Sequence, residues 1–339
     1  MSASRDGLIK IGIAGAGSIA GAHIRGYLKA TDAGRVTAVA DVDAGSAQRR
    51  AESVGDARVF DDYREMIASP LIDAVDICLP HHLHKDAIVR AAEAGKHILC
   101  EKPLCVTLEE AEAVRAAVAA SGITLMCAHN QLFLPAVAPA REMIREGKLG
   151  KVFAARTTDI FAQGPDAKLG WRAQRATAGG GELIDTGYHP TYLLLHLIGS
   201  EPVEVAAMLS RHRIAMEGED SAHVLVEFAD GTVGTIVTSW AYEPIAPTEK
   251  FSVVGETGSL WSDGRALFYR PRGGEQVRVL DAPEVAPDTF ILEVVDFIAR
   301  LRDGRRPLNN EIEGINVLKV ILAAYASAEQ RRIVSLTDL

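Results

Sequence analysis

The feature that most constrains this chain is a glycine-rich turn between an apolar run and a segment of helical composition. Apolar, β-rich residues occupy Ile9 to Ala14, and the turn Gly15 to Ala20 follows directly and opens the helical segment Ile19 to Ala30. A second apolar run, Arg35 to Ala40, comes next. Two strands that are joined through a helix lie parallel to one another, and such crossovers are nearly always right-handed. The start of the chain therefore predicts a βαβ unit.

Helical patterns and short apolar runs continue to alternate as far as residue 127. The predicted elements are the helices Ser46 to Val54, His84 to Ala94 and Leu108 to Ala120, and the strands Ala74 to Leu79, His97 to Cys100 and Thr124 to Cys127. Alternation of this kind is typical of a parallel sheet with helices on both faces. We therefore expect an α/β fold whose first domain, residues 1–128, is a doubly wound parallel sheet.

Beyond residue 130 the pattern changes to strands in succession. The predicted strands are Lys151 to Asp159, Val203 to Arg211, Ala222 to Phe228, Thr232 to Trp240 and Lys250 to Val254, and the predicted helices are Phe290 to Arg302 and Glu311 to Arg331. Asp230-Gly231, between two of these strands, is a hairpin signal. A second domain, residues 129–339, is therefore expected to hold a large and mostly antiparallel open sheet. Residues 257–288, with scattered Gly and Pro, are the least regular part.

Length and charge limit the class of protein. A chain of 339 residues is long enough for two domains. Its formal net charge of -9 opposes broad attraction to nucleic acid or to anionic membranes. No run reaches the roughly 18 apolar residues of a membrane helix, and residues 1–10 lack the apolar core of a signal peptide. We expect a cytoplasmic protein with a small-molecule partner.

Neither the cysteines nor the clustered histidines predict a metal site. Three histidines, His81, His82 and His84, fall within four positions of a strand-to-helix turn, where they cannot easily converge on one ion. The cysteines show no Cys-x-x-Cys spacing, so we expect them to be buried thiols. They are Cys78, Cys100, Cys105 and Cys127.

The glycine turn has the spacing of a dinucleotide site. Gly15 permits the tight turn, Gly17 lets the backbone approach a pyrophosphate, and Ala20 allows the helix to pack closely on the strand. The phosphates would then lie at a helix N-terminus, near Ser18 and Ile19, where N–H groups and the helix dipole favour negative charge. An ordinary glycine turn is the alternative for the motif taken alone.

Asp41 strengthens the prediction of a nucleotide site. It ends the second predicted strand, 24 positions beyond Gly17, where this fold places the acid that binds the adenosine ribose diol. A carboxylate there repels a 2′-phosphate, and Val42 rather than Arg or Lys follows it. NAD is therefore favoured over NADP. A solvated aspartate at a strand end is the alternative interpretation.

Several separate motifs extend the pattern over nearly the whole chain. They are the glycine turn, Leu79-Pro80 with His84 four residues on, Ala94 to His97, Glu101-Lys102-Pro103, Trp171-Arg172, and Gly179 to His189. In this order they resemble the glucose-fructose oxidoreductase, inositol dehydrogenase and rhizopine catabolism family, written Gfo/Idh/MocA. The resemblance implies a Rossmann domain followed by an α/β domain with a large open sheet. It also implies reversible hydride transfer at a carbinol carbon of a sugar, cyclitol or related polyol.

The resemblance also assigns roles to individual residues. Lys102, Asp185 and His189 would be catalytic. The cofactor-binding candidates are Gly15, Gly17, Ser18, Ile19, Asp41, Leu79, Pro80, His84, Glu101 and Lys102, and the substrate-binding candidates are Asn130, Trp171, Arg172 and Tyr192. Two positions depart from the family: Tyr192 stands where many members have Asp three residues after the catalytic His, and Leu132 stands where many have Arg.

The three catalytic candidates suit the oxidation of an alcohol. Such a reaction needs a base for the hydroxyl proton, and the imidazole of His189 titrates near neutrality. Lys102 would place positive charge beside the oxygen, and Asp185 could orient the imidazole or hold a substrate hydroxyl. Asp185 lies four residues before His189, but Pro190 predicts that the helix starts late or kinks there. The glycines at 179–181 would give flexible backbone for close approach to a ligand.

Two other functions, and an oligomeric state, are also consistent with these residues. A glycosidase or lyase that keeps NAD bound, and a regulator that binds NAD without catalysis, remain open. An open sheet that helices cover on one face only would expose apolar side chains and favour a homodimer or homotetramer. The exposed residues are expected to include Val224, Val226, Val233 and Ile236.

Overall fold

The computed structural model describes residues 7–164, 167–244 and 249–339, and these divide into two units. The first unit runs as far as Asn130 and also contains Asp288–Ile315. The second contains Gln131–Pro287 and Asn316–Leu339. The sequence-based boundary lay at residue 128, with all later residues in the second domain.

The first unit is built on a six-stranded sheet in the order β3-β2-β1-β4-β5-β6. All neighbouring strands are parallel. This order is that of the doubly wound dinucleotide-binding fold, whose ligand lies at the carboxyl ends of the strands. The strands are β1 (Ile9–Ala14), β2 (Gly34–Ala40), β3 (Arg58–Phe60), β4 (Ala74–Ile77), β5 (His97–Cys100) and β6 (Leu125–Cys127). The predicted parallel sheet is therefore confirmed.

Four of the five helices between these strands begin and end close to their predicted positions. They are α1 (Ser18–Tyr27), α2 (Ala44–Ser53), α3 (Tyr63–Ala68), α4 (His84–Glu93) and α5 (Leu108–Ser121). Two elements were missed, β3 and α3. With 3 and 6 residues they are too short to show a period in the sequence.

One helix from late in the chain packs on the first unit. Helix α10 (Thr289–Asp303) lies against α1, with Val294 and Phe297 fully buried. A Cβ added at Gly26 would lie 2.5 Å from Cβ of Val294, so only glycine allows this approach. The sequence had assigned this helix to the second domain.

The second unit contains a nine-stranded sheet in the order β14-β13-β12-β11-β7-β10-β9-β8-β15. Its strands are β7 (Val152–Ile160), β8 (Pro202–Ser210), β9 (Ser221–Phe228), β10 (Val233–Ser239), β11 (Phe251–Gly255), β12 (Gly258–Ser262), β13 (Leu267–Pro271), β14 (Val277–Leu280) and β15 (Val334–Ser335). Every neighbouring pair is antiparallel except β7 and β10. The mostly antiparallel sheet is confirmed, and the irregular segment 257–288 supplies three of its strands.

The helices of the second unit leave one face of the sheet open. They are α6 (Val137–Arg145), α7 (Arg175–Ala178), α8 (Glu182–Asp185), α9 (Tyr188–Ile198) and α11 (Glu311–Gln330), which begins in the first unit. Helix α9 packs on β7 and β10. The sequence had placed Val224, Val226 and Ile236 on the open face, which is wrong because all three are buried. Alternation along β9 instead exposes Leu225, which is 49% exposed, between its buried neighbours.

The open face carries apolar side chains from the adjacent strands β8, β9 and β10 and from β11, which lies beyond β7. Strand pairing puts these residues on the same side of the sheet. They are Met208, Leu225, Val233 and Val254, and we call them the open-face cluster. Of the four residues that the sequence had expected on this face, only Val233 belongs to it.

All four cysteines are buried and free of disulfides, as predicted. Among the described residues, no helix combines the length and the apolar character that crossing a membrane requires.

Candidate active site

The glycine turn joins β1 to α1 at the carboxyl edge of the parallel sheet. Gly15 has a φ of +95°, and a Cβ there would lie 2.4 Å from the carbonyl oxygen of Cys78, so the turn needs glycine. Gly17 is the N-cap of α1 and makes no side-chain cap. A Cβ at Gly17 would meet nothing within 4 Å, so the space beside this helix N-terminus is open. These features fit the pyrophosphate of a dinucleotide.

Asp41 follows β2 and lies against the glycine turn. Its Oδ2 accepts a hydrogen bond from the Ala16 N–H at 2.6 Å, and its Oδ1 accepts one from the Asp43 N–H at 2.8 Å. Each carboxylate oxygen has a second lone pair. The carboxylate is thus fixed beside the turn and can still accept hydrogen bonds from a ribose diol.

Arg50 is a residue of this region that the sequence did not single out. From α2, its Nη2 donates to the carbonyl of Gly17 at 2.9 Å and its Nε donates to that of Ala16 at 3.3 Å. A Cβ at Gly21 would lie 2.5 Å from the guanidinium. A positive charge therefore sits beside the glycine turn. An arginine within a helix carries no local signal of such a contact.

His84 connects the loops that follow β4 and β5. It is fully buried, with Nδ1 2.7 Å from the Pro103 carbonyl oxygen and Nε2 2.8 Å from that of Leu79. Burial lowers the pKa of His84, although the two carbonyl contacts act to raise it. Within the first unit, the ring thus supports the segments that carry Leu79, Pro80 and Lys102.

A buried polar network holds the backbone at Lys102, where the Lys102–Pro103 peptide bond is cis. Glu101 Oε2 accepts from the Lys102 N–H at 3.0 Å, and its Oε1 lies 3.1 Å from Nε2 of His23 on α1. Nδ1 of His23 lies 2.9 Å from Asp76. The sequence had placed Glu101 among the cofactor contacts, and in the structure this carboxylate has partners inside the protein.

Charge within this network is set by burial and by the neighbouring acids. Burial lowers the pKa of His23, but the charges and hydrogen bonds of Asp76 and Cys78 together outweigh it, and the net pKa lies well above the usual value. Burial raises the pKa of Glu293, whose carboxylate is 3.8 Å from the same imidazole. A protonated His23 between Asp76 and Glu101, with a neutral Glu293, is the arrangement that these shifts favour.

In the second unit, Asp185 and His189 lie on either side of a helix break. Asp185 is the last residue of α8, and His189 is the second residue of α9. Pro190 is the third residue of α9, in the first turn, where its missing N–H costs no helical hydrogen bond. The predicted late helix start is therefore confirmed.

Asp185 forms an ion pair with a substrate-binding candidate. Nε of Arg172 donates to Oδ2 of Asp185 at 2.6 Å, and the same guanidinium lies 4.2 Å from the ring centroid of Trp171. Asp185 is buried, whereas the Arg172 side chain is 41% exposed. Trp171 and Arg172 therefore form one structural group with Asp185.

His189 has partners that the sequence did not predict. Its Nδ1 is 2.8 Å from the hydroxyl oxygen of Tyr192, which also accepts a hydrogen bond from the Gln131 N–H at 2.9 Å. The Gln131 side chain donates to Asp159 at 2.9 Å, and Lys250 pairs with the same carboxylate at 2.7 Å. These residues lie on separate segments, so no local pattern could have revealed them.

The glycines before α8 are required by packing within the protein. A Cβ at Gly180 would lie 2.2 Å from the hydroxyl of Tyr325, and one at Gly181 would lie 2.2 Å from the carbonyl oxygen of Glu219. Gly179 has a φ of +87° and ends α7. Close packing against neighbouring segments is therefore a reason for glycine at positions 180 and 181 that the sequence did not indicate.

The predicted residues are divided between the two units. Asn130 is buried in the first unit and donates to Thr289 at 3.0 Å. The other candidates of the first unit are Gly15, Gly17, Ser18, Ile19, Asp41, Leu79, Pro80, His84, Glu101 and Lys102. Those of the second unit are Trp171, Arg172, Asp185, His189 and Tyr192.

Comparison with known proteins identifies the family. Residues 9–129 match the model described as "Oxidoreductase family, NAD-binding Rossmann fold", and residues 137–261 match the GFO/IDH/MocA C-terminal domain. A 1,5-anhydro-D-fructose reductase from Ensifer adhaerens is 31% identical over 250 residues, which are 74% of each chain. This chain belongs to the GFO/IDH/MocA oxidoreductase family. The family resemblance seen in the sequence is confirmed, and with it an NAD-binding Rossmann domain.

Other members of the family are similar over almost the full length. The scyllo-inositol 2-dehydrogenase (NAD(+)) of Bacillus subtilis (strain 168) is 27% identical over 334 residues, 94% of both chains. The structure of a levoglucosan dehydrogenase in complex with NADH and levoglucosan has a TM-score of 0.88 and 27% identity, covering 97% of this chain and 99% of that one. The likeness to these relatives extends through both units.

Proposed function

We propose that this GFO/IDH/MocA oxidoreductase is an NAD-dependent dehydrogenase that transfers a hydride between nicotinamide and a carbinol carbon of a sugar, cyclitol or related polyol. The observation that carries the proposal is the fixed imidazole of His189 in a chain whose first domain is an NAD-binding Rossmann fold. The names of its relatives support this substrate class, since they include a reductase of an anhydro sugar and an inositol dehydrogenase.

The roles of the catalytic residues follow from the chemistry of alcohol oxidation. NAD, when bound, supplies the acceptor for the hydride. His189 takes the hydroxyl proton in oxidation and returns it in reduction, because an imidazole changes protonation near neutral pH. Lys102 supplies positive charge that stabilises the developing alkoxide. Asp185, paired with Arg172, holds a substrate hydroxyl or the imidazole.

A substrate screen tests the proposal. Polyols, sugars and sugar acids are each incubated with NAD, and the absorbance of NADH is followed. Net accumulation of NADH with at least one of them supports a dehydrogenase. Conversion of a glycoside without net NADH would instead identify the glycosidase or lyase that keeps its NAD. Binding of NAD with no conversion of any compound would favour the regulator.

Cofactor choice is expected to depend on the charge of Asp41. NAD should bind at least ten-fold more tightly than NADP, which is about 1.4 kcal/mol. Asp41→Asn should shrink this difference, because it removes the charge while leaving an oxygen to accept from the Ala16 N–H. Calorimetric titration of both cofactors measures the effect. Asp43→Asn, which removes a charge two residues further on, should leave the preference intact, and equal affinity of the wild type for both cofactors would contradict the assignment.

The open-face cluster supports a homo-oligomer. We infer that a second copy of this chain covers Met208, Leu225, Val233 and Val254, because burial of apolar surface drives association. Light scattering should report a dimer or tetramer of the 36.3 kDa chain. Leu225→Glu should lower the mass, whereas Leu292→Glu, an exposed leucine on α10, should not. A wild-type monomer at micromolar concentration would exclude the assembly.

We also infer that the protein is cytoplasmic. Four buried thiols and the absence of Cys pairs in disulfides suit a reducing compartment. Cell fractionation with an antibody against the chain tests the location.

A further inference from the structure

We propose that Tyr192 is a positioning residue for His189, and that its neutral hydroxyl is the partner of the ring nitrogen Nδ1. The sequence had placed Tyr192 among the substrate contacts. It is only 2% exposed, however, and its hydroxyl has partners inside the protein. The inference rests on the proposed function, in which His189 is the base.

The contact between His189 and Tyr192 is held by their shared helix and by a hydrogen bond from outside it. Tyr192 follows His189 by three residues on α9, which puts both on one side of the helix. Their ring centroids are 5.5 Å apart at an interplanar angle of 78°. The Gln131 N–H donates to the Tyr192 oxygen from outside the helix, so the hydroxyl cannot move away from Nδ1 without losing a backbone hydrogen bond. The orientation of the imidazole is therefore set by a hydroxyl on its own helix that a residue of another segment holds in place.

A base needs a particular arrangement of protons on its ring. If Nε2 is to accept a proton from substrate, neutral His189 must carry its own proton on Nδ1. The Tyr192 oxygen lies 2.8 Å from Nδ1 and can accept that N–H on one lone pair while it accepts the Gln131 N–H on the other. When it accepts from Nδ1–H in this way, Tyr192 stabilises the tautomer that leaves the Nε2 lone pair for the reaction.

A hydroxyl and a carboxylate differ in what they do to the basicity of the ring. Both accept from Nδ1–H, but only a carboxylate adds a negative charge that favours the imidazolium form. With Tyr at position 192, neutral His189 should persist to lower pH than it would with Asp there. The oxidative reaction, which needs neutral His189, would accordingly operate at lower pH.

Asp159, an ionised acid on a neighbouring segment, interacts electrostatically with His189, and its pairing with Lys250 offsets part of that negative charge. Burial raises the pKa of Asp159, but the charges of Lys250 and His189 and the hydrogen bonds from Lys250 and Gln131 together lower it more, so this carboxylate is ionised and is paired with Lys250. Burial raises the pKa of Glu182 well above its usual value, which keeps this acid neutral. The groups facing this region are Asp159 on β7, Lys250 before β11, Glu182 and Asp185 on α8, Arg172 paired with Asp185, and Tyr192 itself. An aspartate at position 192 would therefore add a carboxylate beside the ring, while Lys250 and Arg172 are already paired with Asp159 and Asp185.

Nitrogen-15 NMR of the histidine rings tests the inference without any substrate. Full-length protein labelled at histidine is titrated with pH, and the His189 signals are assigned by their loss in His189→Gln. We expect neutral wild-type His189 to carry its proton on Nδ1, Tyr192→Phe to lose this preference, and Tyr192→Asp to raise the pKa of His189 by about one to three pH units. Tyr269→Phe, which removes the hydroxyl that donates to the Lys148 carbonyl, is the matched control and should change nothing.

Kinetics give a second and independent readout. On a substrate from the screen, Tyr192→Phe should lower kcat about ten-fold with KM and NAD affinity little changed, the loss expected for one hydrogen bond. Tyr192→Asp should retain turnover but shift the acidic limb of the oxidative pH profile upward. A proton on Nε2 in neutral wild-type His189, or a His189 pKa that is the same in Tyr192→Asp, would overturn the role of Tyr192. Failure of the proposed function would look different, because NADH formation would then be absent or insensitive to His189→Ala.

Discussion

Replacement of His189 by alanine is expected to lower turnover by about 10²-fold or more, the usual contribution of a general base. NAD affinity should change little, because the lost interaction is made mainly in the transition state. Steady-state kinetics on a substrate from the screen, with calorimetric titration of NAD, measure both quantities. His196→Ala is the matched control, since it removes a histidine from the same helix two turns away and should leave turnover intact.

The direction in which turnover changes with pH tests the same role of His189. Oxidation needs neutral His189, so the rate should rise with pH through one ionisation near neutrality, and that step should be missing in His189→Ala. His196 cannot produce it, because burial lowers the pKa of His196 to about 4 and the ring stays neutral over this range. Near-normal turnover in His189→Ala with the ionisation still present would mean that another group is the base, with Lys102 the first to examine.

Lys102→Ala is expected to cost at least as much turnover as His189→Ala and also to weaken NAD binding. The amine is proposed to stabilise the alkoxide, and the family resemblance puts it against the nicotinamide ribose as well. The main-chain N–H of Lys102 is held by Glu101, which His23 holds in turn, so truncation of the side chain should leave the loop in place. The loss should therefore report on the amine itself.

Turnover and NAD affinity of Lys102→Ala are compared with those of Lys96→Ala. Lys96 belongs to the same unit and its amine donates to the carbonyl of Ile72 at 2.7 Å, so its loss should affect stability more than catalysis. Circular dichroism checks that both variants are folded. Full turnover in a folded Lys102→Ala would remove this residue from the proposed mechanism.

The sequence by itself determined the features that depend on neighbouring residues. The glycine turn, the alternation of strands and helices up to residue 127, and the late start of α9 before Pro190 are all local consequences of backbone geometry and hydrophobic period. The local sequence also indicates which side of β9 is exposed, since His223, Leu225 and Glu227 alternate with apolar neighbours. Val224 and Val226 are two of these apolar neighbours and are buried, so the expectation that they are exposed was wrong.

The tertiary structure alone decided which distant residues meet. Helix α10 packs on α1 because Gly26 leaves room for Val294, and neither residue signals the other in the sequence. The contacts that hold Lys102 and His189 also join residues that are far apart in the sequence. Glu101, which binds the Lys102 N–H, contacts His23, 78 residues away, and Tyr192, which contacts His189, binds Gln131, 61 residues away. A hydrogen bond between such residues imposes no spacing on the chain, so only the folded backbone brings its donor and acceptor together.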